Sequence, residues 1–529
     1  MRDFGVRAKA VRETVSVNPA TGEILGTVVE HSVEDLREAV TAARKAQVLW
    51  GTTSFSVRAH HVLRIRDYVV EHANRIADII SKDTGKTRFD ALSTEVFPAT
   101  MSSTWYAKHA ERILQRARLR PGNILFFNKR SYLDRVPYGV VGIITPWNYP
   151  FAIPFHEYMM AIMAGNGVVA KVSTQTQQVA KLLEEVVRAG GLPEGIFSLV
   201  NIPGSAAGDA FIESGVDKIF YTGSVPVAKQ LMAKAAERLV PLCLELGGND
   251  AMIVCKDANV HRAVGGALWA GFSNAGQSCA GVERIYVEEG IYSEFVTLLR
   301  ARVRSLRMGY DSDADVDIGA MTTEKQLSTV TRHVTDAIEK GASITAVSEN
   351  VNPRSGGFFY PPTVLEEVND DMLTMREETL GPVVAVVRVG SIVEAIDRAN
   401  DSTFGLTASV WSRDRAKARA IASRLKVGTV TVNDHLMSHG LAEMPWGGFK
   451  ESGIGRSHGA LGFHEMTQPR VVVDDVMPGV QQNLWWYPHS RVLYDRMSRI
   501  LQFLYAKSPV RRLQAIPHLL VAFSKTFRR

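Results

Sequence analysis

The chain has few cysteines for its length: Cys243, Cys255 and Cys279 in 529 residues. So small and odd a number argues against a disulfide framework and favours a reducing, cytoplasmic compartment. The segment from Met1 to Ser16 is charged and has no apolar run, so no secretory signal is expected. No uninterrupted apolar stretch reaches the roughly 18 residues that a membrane-spanning helix needs.

The net positive charge of +6 is concentrated at the C-terminal end of the chain. Residues 484–529 hold nine Lys/Arg and one acid, a local +8, so the rest of the chain carries −2. Zinc-finger and helix-turn-helix patterns are also lacking, and no nucleic-acid partner is expected.

At 529 residues the chain predicts two or three globular domains.

Helical and strand patterns alternate along most of the chain, which predicts an α/β fold with parallel sheets. Helical periodicity covers 33–49 and 57–80, and apolar strands are predicted at 136–144 and 167–172. A short strand ends in Thr222-Gly223-Ser224 before another helix. Free N–H groups at such a turn suit a phosphate group, although the G-x-G-x-x-G fingerprint is missing.

One cysteine has the surroundings of a nucleophile. Small residues around Cys279 leave its thiol uncrowded, whereas Cys243 and Cys255 lie in apolar strands and are interpreted as inert core residues. Glu245 lies in an apolar strand before paired glycines. Apolar surroundings raise the pKa of a carboxyl group towards that of a base, which a thiol needs to become a thiolate. Cys279 and Glu245 are therefore the predicted catalytic pair.

From about Ser16 to Asp475 the sequence resembles the aldehyde dehydrogenase superfamily. Six motifs that occur in order carry this resemblance: Thr145-Pro146-Trp147-Asn148-Tyr149-Pro150, Tyr221-Thr222-Gly223-Ser224, Leu244-Glu245-Leu246-Gly247-Gly248-Asn249, the Phe272–Gly281 segment with Cys279, Glu377-Glu378-Thr379-Leu380-Gly381-Pro382-Val383, and Pro445-Trp446-Gly447-Gly448-Phe449-Lys450-Glu451-Ser452-Gly453. The resemblance implies a Rossmann-like cofactor domain, an α/β catalytic domain and a small β oligomerisation element.

The resemblance also implies a reaction. Cys279 would attack the aldehyde carbon, and Asn148 with the Cys279 backbone N–H would hold the oxyanion. Hydride would leave to NAD or NADP, and Glu245 would activate water to hydrolyse the thioester. The cofactor-binding residues that it implies are Thr145, Trp147, Lys171, Thr174, Gly223, Ser224, Glu378 and Leu380. No metal site is predicted.

Cofactor preference stays open because of Thr174. Many NAD-preferring members of the superfamily carry an acid at this position, where it would bind the ribose hydroxyls. Without that carboxylate a 2′-phosphate would not be repelled, and Lys171 and Ser173 could support NADP. Both NAD and NADP are therefore expected.

The expected substrate pocket consists of Tyr149, Ile153, His156, Ser278, Met437 and His439. This set is largely apolar and contains no arginine that could hold a carboxylated aldehyde, which favours an apolar or long-chain aldehyde. The segment from Phe272 to Tyr292 also resembles some succinate-semialdehyde dehydrogenases, so that substrate is the alternative.

These patterns predict four regions, two of which are made of two segments each. Residues 1–110 and 136–247 are expected to bind NAD(P), and 248–445 to form the catalytic domain. Residues 111–135 and 463–483 are expected to supply strands for a homodimer or a dimer of dimers. Residues 484–529 form a basic, aromatic extension, for which peripheral attachment to a membrane surface and an arm across a partner subunit or the substrate entrance are equal alternatives.

Two other functions compete with aldehyde oxidation to the acid. An acylating enzyme would pass the thioester to coenzyme A, but such enzymes generally lack the base that Glu245 provides. A non-catalytic binding or structural protein on the same fold is the alternative from another class. The joint presence of Cys279, Glu245 and Asn148 argues against it.

Overall fold

Two mostly parallel sheets organise the larger part of the chain. The computed structural model describes residues 12–311, 315–352, 357–481, 483 and 485–526. The strands in these residues are β1 (Glu13–Val17), β2 (Ile24–Val29), β3 (Ala117–Leu119), β4 (Lys129–Pro137), β5 (Val140–Ile144), β6 (Gly167–Lys171), β7 (Phe197–Leu199), β8 (Lys218–Thr222), β9 (Leu242–Glu245), β10 (Asp250–Val254), β11 (Val282–Glu288), β12 (Arg307–Gly309), β13 (Ser343–Val347), β14 (Asn350–Asn352), β15 (Thr363–Glu366), β16 (Val383–Val389), β17 (Thr407–Trp411), β18 (Thr429–Val432), β19 (Gly453–Ile454) and β20 (Thr467–Asp475). The helices are α1 (Val33–Trp50), α2 (Phe55–Glu71), α3 (Ala73–Thr84), α4 (Arg88–Ala91), α5 (Phe97–Leu114), α6 (Ala152–Ala164), α7 (Gln177–Ala189), α8 (Gly204–Glu213), α9 (Val225–Ala236), α10 (Val260–Phe272), α11 (Glu289–Ser305), α12 (Glu324–Glu339), α13 (Leu373–Arg376), α14 (Ile392–Asn400), α15 (Arg415–Ala422), α16 (Gly459–Glu465), α17 (Arg491–Tyr505) and α18 (Pro509–Thr526).

The first sheet has the strand order β19-β9-β8-β5-β6-β7 and is parallel except for β19. Every residue of β5 and β6 is buried, which is why these strands are continuous apolar runs. Residues of α1 pack on one face and residues of α6 and α7 on the other. Because β5, β6, β8 and β9 run in the same direction, their carboxyl ends meet at one edge of the sheet.

The second sheet has the order β13-β15-β16-β11-β10-β17-β18 and is parallel except for β13. Its apolar core includes residues of α10, α11 and α14. The chain passes from the first sheet to the second between Glu245 and Asp250. The α/β architecture with parallel sheets that the sequence predicts is confirmed.

A second compact unit is formed by residues 115–135 with the chain from Pro469 onward. It contains a three-stranded sheet with the order β20-β4-β3. The helices α17 and α18 pack against each other, and Leu493, Ile500 and Leu519 form a small apolar core there. Asn123 Nδ2 donates a hydrogen bond of 2.7 Å to the Tyr505 hydroxyl.

Three element boundaries differ from those predicted. The single helix expected over 57–80 is two helices, because His72 leaves the helical conformation with φ −106° and ψ 17°. The expected strand segments begin later than predicted, since residues 111–114 complete α5 and residues 463–465 belong to α16. Both stretches continue helical patterns that start upstream. No helix in the described part of the chain is long and apolar enough to cross a membrane.

Candidate active site

A left-handed turn presents Cys279 at the end of α10. The backbone of Asn274 and Ala275 has φ of 55° and 53°, a conformation that is costly for a residue with a β-carbon. Asp90 stabilises this turn: its carboxylate accepts the Ser273 hydroxyl at 2.9 Å and the Asn274 N–H at 3.1 Å. The small residues that the sequence shows around Cys279 therefore belong to a rigid loop held from α4.

The thiol of Cys279 is half-buried against an apolar cluster that includes Leu406 and Trp446. Burial raises the pKa of this thiol well above its ordinary value, and the carboxyl groups of Glu378 and Glu245 raise it further. The group is therefore protonated in the protein alone. A base or a nearby positive charge is needed to form the nucleophilic thiolate.

The loop of Asn148 is fixed by a buried ion pair. Lys86 Nζ lies 2.6 Å from Glu95 Oε1, with both side chains fully buried, and donates to the Asn148 carbonyl at 2.8 Å. The other Glu95 oxygen accepts the Phe151 N–H at 2.7 Å. Asn148 Nδ2 donates to the Gln277 carbonyl at 3.1 Å. The amide of Asn148 is thereby held beside the Cys279 loop with a second N–H available to a reacting oxygen.

Glu245 ends β9 and is 5% exposed. Neither carboxylate oxygen accepts a well-formed hydrogen bond from a described residue, although the Ser457 N–H lies close enough to lower its pKa slightly. Burial raises the pKa of Glu245 well above its usual range, and the neighbouring Glu157 adds to this rise. Burial likewise raises the pKa of Glu157 to about 8. A buried carboxyl group with a raised pKa is typical of a general base.

Residues predicted to bind the cofactor lie along the carboxyl edge of the first sheet. The Thr145 N–H donates to the Lys171 carbonyl at 3.0 Å, and the buried Thr145 hydroxyl has no described partner. Burial lowers the pKa of the Lys171 ammonium to about 8. Ser224 is the N-cap of α9 but its side chain makes no capping hydrogen bond. The Gly223 N–H donates to the Glu245 carbonyl at 3.1 Å, which ties this turn to the strand of the candidate base.

Glu378 and Leu380 lie on a loop on the other side of the site. Glu378 Oε1 accepts the Gly248 N–H at 3.1 Å, and burial raises the pKa of this carboxyl to about 8. A β-carbon at Gly247 would displace the Glu378 carboxylate from its present position. Leu380 has a φ of 47°, and its N–H donates to buried Glu283 at 2.8 Å.

An open cleft runs beside Trp147. Ser173 and Gln175 line it together with Trp147. Thr174 stands between these two residues, is half-buried and does not line the cleft. The side chain of Thr174 is therefore less directly placed than its neighbours for contact with a group in this cleft.

Two cavities meet at Cys279. The outer one has a volume of about 260 Å³ and includes Tyr149, Ile153, Ser278, Met437 and His439 of the predicted pocket. Six apolar residues also line this cavity: Phe97, Pro98, Met101, Trp269, Leu436 and Leu441. None of its described lining residues is Asp, Glu, Lys or Arg. Four of these apolar side chains are also more than a third exposed at the entrance: Phe97, Met101, Trp269 and Met437.

The inner cavity corrects the predicted position of His156. This histidine does not line the outer cavity; it lines a smaller space of about 20 Å³ with Glu157, Glu245, Cys279 and His439. The difference arises because His156 lies one helical turn beyond Ile153 on α6, deeper in the molecule.

Several residues of the site are not predicted by the sequence. Glu157 lies in the apolar helix α6, and Lys86 lies in the turn after α3. A charged residue in an apolar helix is a signal that could have identified Glu157. Phe97 and Met101 follow a single π-helical turn at Leu92–Val96, which no local pattern indicates.

Comparison with known proteins agrees with this geometry. The model of the aldehyde dehydrogenase family matches residues 6–472. The chain is 37% identical over 475 residues to a putative succinate-semialdehyde dehydrogenase [NADP(+)] of Mycolicibacterium smegmatis, covering 88% of this chain and 90% of that protein. It is 34% identical over 492 residues to 4,4'-diapolycopene aldehyde oxidase of a Methylomonas species, covering 93% and 91%.

Solved structures give the same result. Betaine aldehyde dehydrogenase of Staphylococcus aureus in complex with NAD+ superposes with a TM-score of 0.84 at 31% identity, covering 90% of this chain and 94% of that one. An E. coli NADP dependent enzyme superposes with a TM-score of 0.83 at 31% identity, covering 88% and 95%. The chain belongs to the aldehyde dehydrogenase family and is an oxidoreductase that oxidises an aldehyde with NAD or NADP.

Proposed function

We propose that Cys279 is the nucleophile of this aldehyde dehydrogenase, Glu245 its base and Asn148 its oxyanion donor. The observation that carries the proposal is that Cys279 and Glu245 line one small cavity. The Asn148 amide supports it, because it is bonded to the carbonyl of Gln277, two residues before Cys279.

The chemistry follows from these positions. As the Cys279 sulfur attacks the aldehyde carbon, its proton passes to Glu245, which releases it to solvent before the hydrolysis step, and the carbonyl electrons become an oxyanion. Asn148 Nδ2 and the Cys279 N–H stabilise that charge, and loss of one such donor typically costs roughly 10²–10³ in rate. NAD or NADP, when bound, supplies the acceptor for the hydride, which leaves a thioester on Cys279. Glu245 then takes a proton from water, the water oxygen bonds to the acyl carbon, and the C–S bond breaks to release the acid.

We infer that the first sheet with its helices holds the dinucleotide and that the second sheet carries the nucleophile. Polar groups at this edge support this division: the unpaired Thr145 hydroxyl, the Lys171 ammonium and Ser224 at the N-terminus of α9 would hold ribose and phosphate oxygens. Trp147 and Glu378 would flank the nicotinamide side. Thr174→Glu tests cofactor preference: the NADP/NAD ratio of kcat/KM should fall, and an unchanged ratio would mean that position 174 does not face the ribose.

The substrate that we propose is an apolar or long-chain aldehyde. The outer cavity offers no charged lining residue among those described, and its entrance exposes apolar side chains. Each methylene buried in such a cavity is worth about 0.8 kcal/mol, so kcat/KM should rise about fourfold per added methylene until the cavity is full.

Succinate semialdehyde is the second candidate because several related proteins carry that name. A parallel screen of straight-chain aldehydes and succinate semialdehyde, each with NAD and NADP and without coenzyme A, separates the two. Preference for succinate semialdehyde would overturn the proposed substrate class. Met437→Arg should place a cation in the cavity and raise succinate-semialdehyde turnover roughly 10- to 100-fold relative to the long-chain substrates. Val393→Arg, at an exposed position on α14, is the matched control.

We infer that β20 and the hairpin of β3 and β4 mediate a homodimer, which could pair further. Val471 and Val473 support this, because both are more than half exposed on a strand at the edge of its sheet. Light scattering should give a dimeric or tetrameric mass, and Val471→Lys should shift it towards the monomer. A monomeric parent protein at micromolar concentration would refute the inference.

We propose that α17 and α18 attach to anionic membrane surfaces. The proposal rests on the local charge of +8 in residues 484–529 and on exposed Trp486, Tyr494 and Tyr505. The intact protein should sediment with anionic vesicles, less so in high salt, and a protein ending at residue 483 should not. Arg511→Glu with Arg512→Glu should give the same loss without truncation. If truncation instead changes only thermal stability or chain-length preference, the segment is an arm or a lid.

A further inference from the structure

Three histidines from distant parts of the sequence meet in the inner cavity. His156 lies within α6, His439 in the turn Met437–Gly440, and His458 is the N-cap of α16. One nitrogen of each ring lies within 4.8 Å of the others. The rings contact one another edge to face, with centroids 4.7 to 5.4 Å apart.

The nitrogen geometry is that of a ligand set. His458 Nε2 lies 3.4 Å from His439 Nε2. Two ligands at about 2.0–2.1 Å from one tetrahedral ion are separated by about the same distance. His156 is 1% exposed, yet neither of its ring nitrogens has a hydrogen-bond partner among the described residues. A fully buried imidazole with two unpaired nitrogens requires an explanation, and an ion is one.

A hydrogen bond at Nδ1 fixes the ring orientation of His458. Its Nδ1 pairs with the hydroxyl of Tyr106, which is completely buried. With Nδ1–H donating to Tyr106, Nε2 keeps its lone pair for a metal, as in metal sites whose histidine is held by an outer partner. The backbone of His458 has φ 58°, an uncommon conformation that the surrounding packing maintains.

Acidic side chains and space for one ion lie beside the three histidines. The carboxyl groups of Glu157 and Glu245 line the same cavity. Its volume of about 20 Å³ has room for one water molecule or one ion.

We propose that His156, His439 and His458 bind one divalent transition-metal ion of the zinc class, with a fourth coordination position open to the cavity of Glu245 and Cys279. Three imidazoles with an open position are typical of Zn²⁺ and also accept Co²⁺. This inference goes beyond the proposed function, which uses no metal. An ion at this site would occupy the space of the hydrolytic water, so a loaded protein should turn over more slowly than a metal-free one.

The test uses Co²⁺ with the full-length, chelator-treated protein. One equivalent should bind and give the intense visible absorption of a tetrahedral site, and one equivalent of Zn²⁺ should abolish that signal. His439→Ala should eliminate this binding, and Tyr106→Phe should weaken it roughly 10- to 100-fold, since outer-partner changes typically have that effect. His156→Gln provides a second test should His439→Ala fail to fold, which a thermal melt would reveal.

Cys279→Ala separates this site from simple binding by the thiol. The proposal predicts that Cys279→Ala retains the tetrahedral Co²⁺ spectrum and the stoichiometry of one, although it cannot turn over. If Cys279→Ala abolishes binding while His439→Ala and His156→Gln retain it, the thiol is the metal ligand and the proposal is wrong. Absence of stoichiometric Co²⁺ binding to the parent protein would also overturn it. Neither result affects the assignment of Cys279 and Glu245 to aldehyde oxidation.

Discussion

Replacement of Glu245 by Gln should separate hydride transfer from hydrolysis. Gln has nearly the same shape, and because neither Glu245 oxygen accepts a well-formed hydrogen bond, no such bond is lost. A general base typically contributes 10²–10⁴ in rate, so steady turnover should fall by roughly that factor. Hydride transfer precedes hydrolysis, so rapid mixing should show one burst of about one NAD(P)H per active site.

The same substitution makes a thermodynamic prediction. The folded-state pKa of Glu245 is raised, so the folded protein prefers the protonated acid. The ionised form therefore destabilises the fold, and this effect is absent below the unfolded pKa of about 4.3 and grows as pH rises towards the folded value. Glu245→Gln should match the parent in denaturant stability at low pH and exceed it at neutral pH.

The assay has a clear control and a clear refutation. Glu38→Gln, at an exposed position on α1, should leave both the burst and the steady rate unchanged. Mass spectrometry of the quenched Glu245→Gln protein should find an acyl group on Cys279. If the burst slows by the same factor as steady turnover, Glu245 acts mainly on the thiol, and its assignment to water activation is wrong.

Three further predictions concern the surroundings of the site. Cys279→Ala should abolish aldehyde oxidation while calorimetry finds cofactor affinity nearly unchanged; substantial residual turnover would reject the nucleophile. Glu157→Gln removes a like charge that raises the Glu245 pKa, so the acidic limb of the kcat profile should move to lower pH, and a limb that moves upward would contradict this. Glu95→Gln leaves Lys86 buried without its partner and should cost roughly 3–5 kcal/mol of unfolding free energy in denaturant titrations; a loss below 1 kcal/mol would show that the pair contributes little.

The sequence identifies the proposed reacting residues, Cys279 and Glu245, better than it identifies the residues packed around them. Cys279 and Glu245 stand in local patterns, small residues around one and an apolar strand around the other, so both can be identified without a fold. Lys86 shows only a helix end and a turn, because its partner Glu95 becomes a neighbour only after the π-helical turn Leu92–Val96 packs against α3. His458 and His156 are 302 positions apart in the sequence, and no local periodicity indicates that they meet.

The ends of some helices and strands are also set by tertiary packing, which the sequence alone does not show. The pattern over 57–80 is continuous, so the break at His72 is set by packing rather than by a glycine or proline. Phe463 lies four residues before β20 and could extend its apolar pattern, but α16 uses this side chain in the core against Tyr106. Tertiary contacts override local propensity at such positions.

The uncharged wall of the outer cavity bears on how the enzyme releases its product. An aldehyde enters as a neutral molecule, whereas the acid leaves as an anion near pH 7. Because none of the described lining residues is Lys or Arg, a carboxylate gains no ion pair there and loses its hydration, so the cavity favours its departure to water. The difference in solvation between substrate and product thus favours product release over rebinding, and carboxylic acids should be weak competitive inhibitors while alcohols and alkanes of equal chain length bind more tightly.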